Sequence, residues 1–185
     1  MADIARPLSQ RKPGDRAADI AAMLRVDHAG EYGATRIYAG QLAVLGAGSP
    51  AGRAIAHMAA QEAEHLKAFE GMITARGVRP TLLHPLWNIA GYALGAATAL
   101  IGPEAAMACT AAVETEIDKH YAEQLDELGG EEPEFASTIA RFQAEELEHK
   151  ETAVRHGAEN TLGYPVLSFL IRTGCRAAIA VSKRI

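Results

Sequence analysis

The chain has 185 residues, 49% of them apolar and 22% charged, with a formal net charge of -5 at neutral pH. That length and balance fit one folded domain with a continuous core and exclude a disordered chain or a disulfide-dependent mini-protein. The acidic balance argues against a nucleic-acid binder, which presents a basic face.

No apolar stretch follows Met1, and Asp3, Asp15 and Asp19 interrupt the early basic residues. Neither a secretory signal nor a mitochondrial presequence has that pattern. The expectation is a bacterial protein on the cytoplasmic side, with residues 1–15 a flexible tail and 16–185 a single domain. Cys109 and Cys175 have no metal-type spacing and read as small apolar residues in a reducing compartment.

The first helix is expected from about Arg16 to Leu45, with Ile20, Met23, Leu24, Ile37 and Leu42 at helical spacing. Gly46–Pro50 ends it, and Ser49-Pro50 supplies the N-cap and first-turn proline of a second helix running to Arg76 before Gly77. Between Arg79 and Glu104 there is no Asp, Glu, Lys or Arg. This tract predicts a third helix over about 80–102, too broken by Pro85, Gly91 and Gly95 to favour a membrane span. It reads as a helix lying on a bilayer surface or buried between subunits, with an apolar interior helix as the alternative. Trp87 within it reads as an interface or core aromatic.

Gly102-Pro103 opens a fourth helix reaching Leu128, and Gly129-Gly130 breaks it. A fifth helix follows from Pro133 to Gly157. Gly163-Tyr164-Pro165 precedes a last helix over about 165–184, carrying Val166, Phe169, Leu170, Ile179 and Val181. Nothing alternates with period two, so the expected fold class is all-α.

An internal repeat emerges when these helices are aligned. Glu31 is followed seven residues on by Tyr38, and Glu114 seven residues on by Tyr121. The second helix contains Gln61-Glu62-Ala63-Glu64-His65, and the fifth Glu145-Glu146-Leu147-Glu148-His149. Each Glu-x-x-His pair places both side chains on one helix face. A lone Glu on two helices and Glu-x-x-His on two others is the donor set of ferritin-like di-iron carboxylate bundles. The candidate ligands are therefore Glu31, Glu62, His65, Glu114, Glu146 and His149. The four carboxylates would balance two ferrous ions, which removes a burial cost on the order of several kcal/mol per bare carboxylate. Manganese would suit the same donors. The small residues flanking Glu31, in His28-Ala29-Gly30-Glu31-Tyr32-Gly33-Ala34, would admit a neighbouring backbone.

Tyr38 and Tyr121 are expected near the site. Asp27 and Glu145 are candidates to orient a ligand histidine, with surface ion pairs as the alternative. His120 is open between a site role and exposure. His28, His57, His84 and His156 lack a partner pattern and read as non-ligands.

Several longer stretches resemble the demethoxyubiquinone hydroxylase family: Arg25-Val-Asp-His-Ala-Gly-Glu-Tyr-Gly-Ala34, Arg36-Ile-Tyr-Ala-Gly-Gln41, Pro85-Leu-Trp-Asn88, Ala112-Val-Glu114 and Glu145-Glu-Leu-Glu-His149. Arg79-Pro80, Ala106-Met-Ala-Cys-Thr110, Gly174-Cys175-Arg176 and Val181-Ser182 extend the likeness over most of the chain in order. The resemblance implies a ferritin-like four-helix bundle with one extra apolar helix in the middle and one at the C-terminus. It implies two iron ions per subunit on the six residues above, with Tyr121 as a supporting residue. The implied reaction is hydroxylation of a 2-polyprenyl-3-methyl-6-methoxy-1,4-benzoquinol by dioxygen, one oxygen atom leaving as water. No Gly-x-Gly-x-x-Gly fingerprint is present, so electrons come from an external donor such as NADH or the quinol itself. A polyprenyl substrate implies contact with a membrane surface, here the cytoplasmic face of a bacterial inner membrane. A homo-oligomer or a lipid-presenting partner protein is compatible with it. Rival readings are a ferroxidase or iron-storage protein on the same fold and a non-enzymatic helical protein of the membrane surface.

Overall fold

The computed structural model describes residues 20–184, all helices and turns with no strand among the described residues. The expected tail over 1–15 and the start of the first helix at Arg16 lie outside them. Six α-helices follow: α1 (Ile20–Leu45), α2 (Pro50–Arg76), α3 (His84–Ile101), α4 (Pro103–Leu128), α5 (Pro133–Arg155) and α6 (Tyr164–Ser182). A 3-10 turn at Ala158–Asn160 separates the last two.

The boundaries follow local chemistry. Ser49 Oγ accepts from the Gly52 amide at 3.0 Å, and Pro50 follows at the start of α2, where no amide donor is needed. Gly77 closes α2 with φ 64°, its amide reaching the Ile73 and Thr74 carbonyls. The third helix starts at His84 rather than Pro80. Thr81 Oγ1 accepts from the Leu83 amide at 3.2 Å, folding Pro80–Leu83 into a turn. The fifth helix stops at Arg155, because Gly157 takes φ 87° to enter the 3-10 turn. Gly102, at φ 152° and ψ 168°, makes the corner where α3 ends and α4 begins.

α1 pairs with α2 and α4 with α5 as helical hairpins, and together they form the four-helix core. Its apolar filling differs at the two ends. Leu24, Phe69, Phe135, Ile139 and Phe142 pack one end; Ile55, Met58, Met107 and the alanines of α4 pack the other. Each large side chain contributes roughly 1.5–3 kcal/mol when fully buried. The polar belt described below lies between these clusters.

α3 connects the hairpins and packs along α1, while α6 lies against α4 and α1. The approach of α3 is close. A methyl group at Gly95 would strike the Ile37 carbonyl, and one at Gly40 the Tyr92 carbonyl. α3 therefore has an inner face of Gly91, Gly95, Thr98 and Ala99 and an outer face of Leu86, Ile89, Leu100 and Ile101. It is half covered by its own subunit. Among the described residues only α6, at mean hydropathy 1.2, is long and apolar enough to cross a membrane, and 11% of it is buried.

Candidate metal centre

The six candidate ligands sit on four helices, and the fold brings all six together. Glu31 comes from α1, Glu62 and His65 from α2, Glu114 from α4, and Glu146 and His149 from α5. None is more than 2% exposed. Their donor atoms form two groups of four: Glu31, Glu62, His65 and Glu146; and Glu62, Glu114, Glu146 and His149. Within each group every donor lies within 4.8 Å of the others. Glu62 and Glu146 belong to both groups.

Both imidazoles turn Nδ1 inward. His65 Nδ1 lies 3.0 Å from Glu146 Oε1 and 3.4 Å from Glu31 Oε2. His149 Nδ1 lies 3.0 Å from Glu146 Oε2 and 3.1 Å from Glu62 Oε1. The outward nitrogens are held across the bundle: His65 Nε2 by Glu145 Oε2 at 2.7 Å, and His149 Nε2 by Gln61 Oε1 at 3.1 Å. The residue before each Glu of one helix thus fixes the histidine of the other. Glu145 fulfils the expectation that it orients a ligand-set histidine. Gln61 was missed, although the repeat aligns it with Glu145 and was the signal that could have found it.

The tyrosines are reciprocal as well. Tyr38 of α1 donates to Glu114 Oε1 of α4 at 2.9 Å, and Tyr121 of α4 donates to Glu31 Oε1 of α1. Each spends one carboxylate oxygen and leaves the other free. Glu31 Oε2, Glu114 Oε2 and both oxygens of Glu62 are buried and accept no aligned hydrogen bond, although His65 Nδ1 and His149 Nδ1 stand beside Glu31 Oε2 and Glu62 Oε1 at ion-pair distance. Buried carboxylate oxygens without partners are costly. Their convergence beside two inward ring nitrogens fits a pair of divalent cations with oxygen and nitrogen ligands.

The electrostatics describe the same crowding. Burial and neighbouring carboxylates raise Glu62 and Glu114 well above the usual carboxyl range. Burial opposes the charge of His65, but Glu146 and Glu31 outweigh it and push its pKa up to about 11. Burial would also raise Glu146; hydrogen bonds from His149 and His65 instead bring it down to about 2. Burial and adjacent carboxylates push both tyrosines well above their usual value.

Asp27 departs from expectation. It touches neither His65 nor His149; its Oδ1 meets His120 Nε2 at 3.2 Å and Gln124 Nε2 at 2.8 Å, all buried. One turn before Glu31, it faces α4 rather than α2 or α5. His120 is therefore buried as well. His28 and His84 stack on each other with ring nitrogens 3.2 Å apart, and His57 is exposed. Neither they nor His156 join the two donor groups.

Beside the polar belt lies an apolar cavity of about 520 Å³ between α1, α3, α4 and α6. Gly30 and Val113, the residues before Glu31 and Glu114, form part of its wall, with Gly33, Trp87, Leu94 and Ala178. Trp87 is thus a cavity wall. A neighbouring backbone does come close in this stretch, since a methyl group at Gly91 of α3 would lie 3.0 Å from the Gly33 carbonyl, although one at Gly30 or Gly33 would itself meet nothing within 4 Å. The approach is closer at Gly40 and Gly95. Cys109 and Cys175 pack in one apolar cluster as free thiols, each pushed up to about 12, chiefly by burial.

The family described as "Ubiquinone biosynthesis protein COQ7" matches residues 18–182. The chain belongs to that family. A Rhodospirillum rubrum relative named 3-demethoxyubiquinol 3-hydroxylase is 52% identical over 177 residues, covering 95% of this chain and 84% of the relative. The mouse NADPH-dependent 3-demethoxyubiquinone 3-hydroxylase, a mitochondrial protein, is 53% identical over 166 residues, 88% of this chain and 76% of its own. The yeast mitochondrial 5-demethoxyubiquinone hydroxylase is 42% identical over 195 residues, 97% of this chain and 84% of its own. The family and the belt agree: buried Glu and His clusters suited to metal sit in a hydroxylase family.

Proposed function

We propose that the chain is a demethoxyubiquinol hydroxylase of ubiquinone biosynthesis, acting through two iron ions held by Glu31, Glu62, His65, Glu114, Glu146 and His149. The single observation that carries this is the overlap of the two donor groups at Glu62 and Glu146 beside an apolar cavity. Iron held by these residues would supply electrons for the reduction of dioxygen, with one oxygen atom entering the quinol ring and the other leaving as water.

The protein's own part is positional. Glu145 and Gln61 each accept the Nε2 proton of a histidine, which leaves the Nδ1 lone pair for metal. Tyr38 and Tyr121 each occupy one oxygen of a carboxylate and so aim the other inward. The aromatic and alanine clusters above and below keep water from the belt. The apolar cavity takes the ring and the first part of the polyprenyl tail, which finds a mostly apolar wall there.

The tail leaves toward a membrane. Leu86, Ile89, Leu100 and Ile101 of α3 and Val166, Phe169 and Leu170 of α6 are exposed. That much outward apolar surface suits a helix pair lying in the interfacial layer. The location that follows is peripheral, on the cytoplasmic face of a bacterial inner membrane. Electrons come from an external reduced nicotinamide, as the name of the mouse relative indicates for that protein.

The test is anaerobic iron loading followed by exposure to labelled dioxygen and a demethoxyquinol. About two irons per chain and one labelled oxygen in the ring are expected. Iron oxidation without ring labelling would replace this reading with a ferroxidase.

A further inference from the structure

A second, polar pocket of about 420 Å³ opens between the middle of α4 and the C-terminal end of α6. Lys119, Arg176, Lys183 and Arg184 line it, opposed by Glu116 and the exposed Glu123, with His120 among its walls. On a chain of net charge -5, this is a local concentration of positive charge. Glu116 does not cancel it. That single carboxylate is shared by Arg172 at 2.6 Å, Arg176 at 3.3 Å and Lys119 at 3.4 Å. No acidic partner meets the side chains of Lys183 or Arg184 among the described residues.

The pocket's place on α6 indicates what would enter it. At helical spacing Val166, Phe169, Leu170 and Val181 share the outward stripe of that helix, and each is at least 40% exposed. Arg172, Arg176 and Lys183 stand together on one flank of the stripe; Gly174 and Ala178, on the other flank, line the apolar cavity. A helix with its stripe among acyl chains would bring that basic flank to the height of the headgroups.

We propose that this pocket seats the phosphate of an anionic phospholipid headgroup, held by Lys119, Arg176 and Lys183, and that the contact turns the apolar cavity toward the acyl chains. The proposal rests on the membrane reading above and adds to it a lipid class and a binding site. A soluble phosphate ester shares the chemistry, but the adjoining apolar stripe favours a phosphate that arrives with a bilayer.

Flotation of the full chain with vesicles of phosphatidylcholine, with or without phosphatidylglycerol, tests it. Tighter binding to the phosphatidylglycerol vesicles is expected. Replacing Arg176→Gln and Lys183→Gln together should reduce that preference about 25-fold, at roughly fivefold per basic residue near a charged surface. Binding to phosphatidylcholine alone should persist, and Arg53→Gln, on a distant exposed turn of α2, should change nothing. Thermal melting of the double variant shows whether it folds; if it does not, Lys183→Gln alone is used, with about a fivefold loss expected. Equal binding to both compositions overturns the proposal and leaves the membrane reading standing. Loss of preference by Arg53→Gln to the same degree overturns it as diffuse attraction. Displacement from vesicles by millimolar glycerol phosphate would make the pocket a soluble phosphate site instead. Failure to bind any vesicle overturns both the proposal and the membrane reading.

Discussion

Glu145 holds His65 from the helix opposite, its Oε2 2.7 Å from Nε2 of a ring whose Nδ1 faces the carboxylate cluster. The mirror contact, Gln61 to His149 at 3.1 Å, has the same geometry without the charge. The two ends of the site are thus related in shape and unequal in electrostatics. An anionic acceptor makes His65 the more electron-rich donor. Glu145→Ala should weaken metal binding about 10- to 100-fold, and Gln61→Ala should fall toward the lower end of that range. Titration of the metal-free protein with ferrous or manganous ion under anaerobic conditions measures both. Equal, negligible losses would reduce both contacts to packing.

The tyrosines can be tested without metal. Tyr38→Phe and Tyr121→Phe each remove one hydroxyl and strand a carboxylate oxygen in a fully buried place. Each should lower the stability of the metal-free chain by about 1–3 kcal/mol in urea unfolding. The Tyr121 variant should also loosen Glu31 and the Tyr38 variant Glu114. Metal bound to the variants should therefore show altered ligand-field or exchange features even where affinity is kept.

Stability should depend on pH differently in the metal-free and metal-loaded forms. In the metal-free chain His65 stays protonated to about 11, against 6.5 for an ordinary histidine. The folded state then keeps a proton that the unfolded state releases. This contribution is whole below about pH 6.5 and is lost as pH climbs toward 11. The raised Glu62 and Glu114 act in the same direction, since unfolded carboxyls release their protons above about 4.5. Glu146, depressed to about 2, gives stability that is complete above about 4.5 and is lost as pH falls through 2. Melting temperatures of the metal-free protein should fall between pH 6.5 and 9. The metal-loaded protein should stay nearly level over the same interval, because its ligands are already deprotonated and the unfolded histidines release their protons at about 6.5. Parallel slopes in the two forms would contradict the six-residue assignment.

What the chain disclosed in advance depended on short-range periodicity. Glu62 with His65 and Glu146 with His149 were legible because three-residue spacing fixes a helix face whatever the tertiary fold. Glu31 and Glu114 followed from the repeat. Which helix faces which is not a short-range property, and the misread residues turn on it. Asp27 stands one turn from Glu31 yet serves His120 and Gln124. Gln61 carries no charge and so attracted no attention beside Glu62. α3 read as a helix on a bilayer surface or between subunits because its sequence lacks charge, while the close approach at Gly40 and Gly95 that seats it on α1 joins residues more than 50 positions apart (Gly40 with Tyr92, Gly95 with Ile37).

Gly33 offers the sharpest test of the cavity. It sits inside α1, where glycine costs about 1 kcal/mol relative to alanine. No neighbour requires it, because a methyl group there would meet nothing within 4 Å. The space it leaves is part of the apolar cavity. Gly33→Ala should raise stability by about 0.5–1 kcal/mol through helix propensity alone. Gly33→Leu should keep most of that gain while its side chain fills the path of a quinol ring. Metal loading should be normal in both variants, since Gly33 touches no ligand. The Leu variant should then show a higher KM for a long-tailed demethoxyquinol, or a lost kcat, in a protein that melts no earlier than its parent. A stable Leu variant with unchanged KM and kcat would place substrate elsewhere and leave the cavity without a role in the reaction.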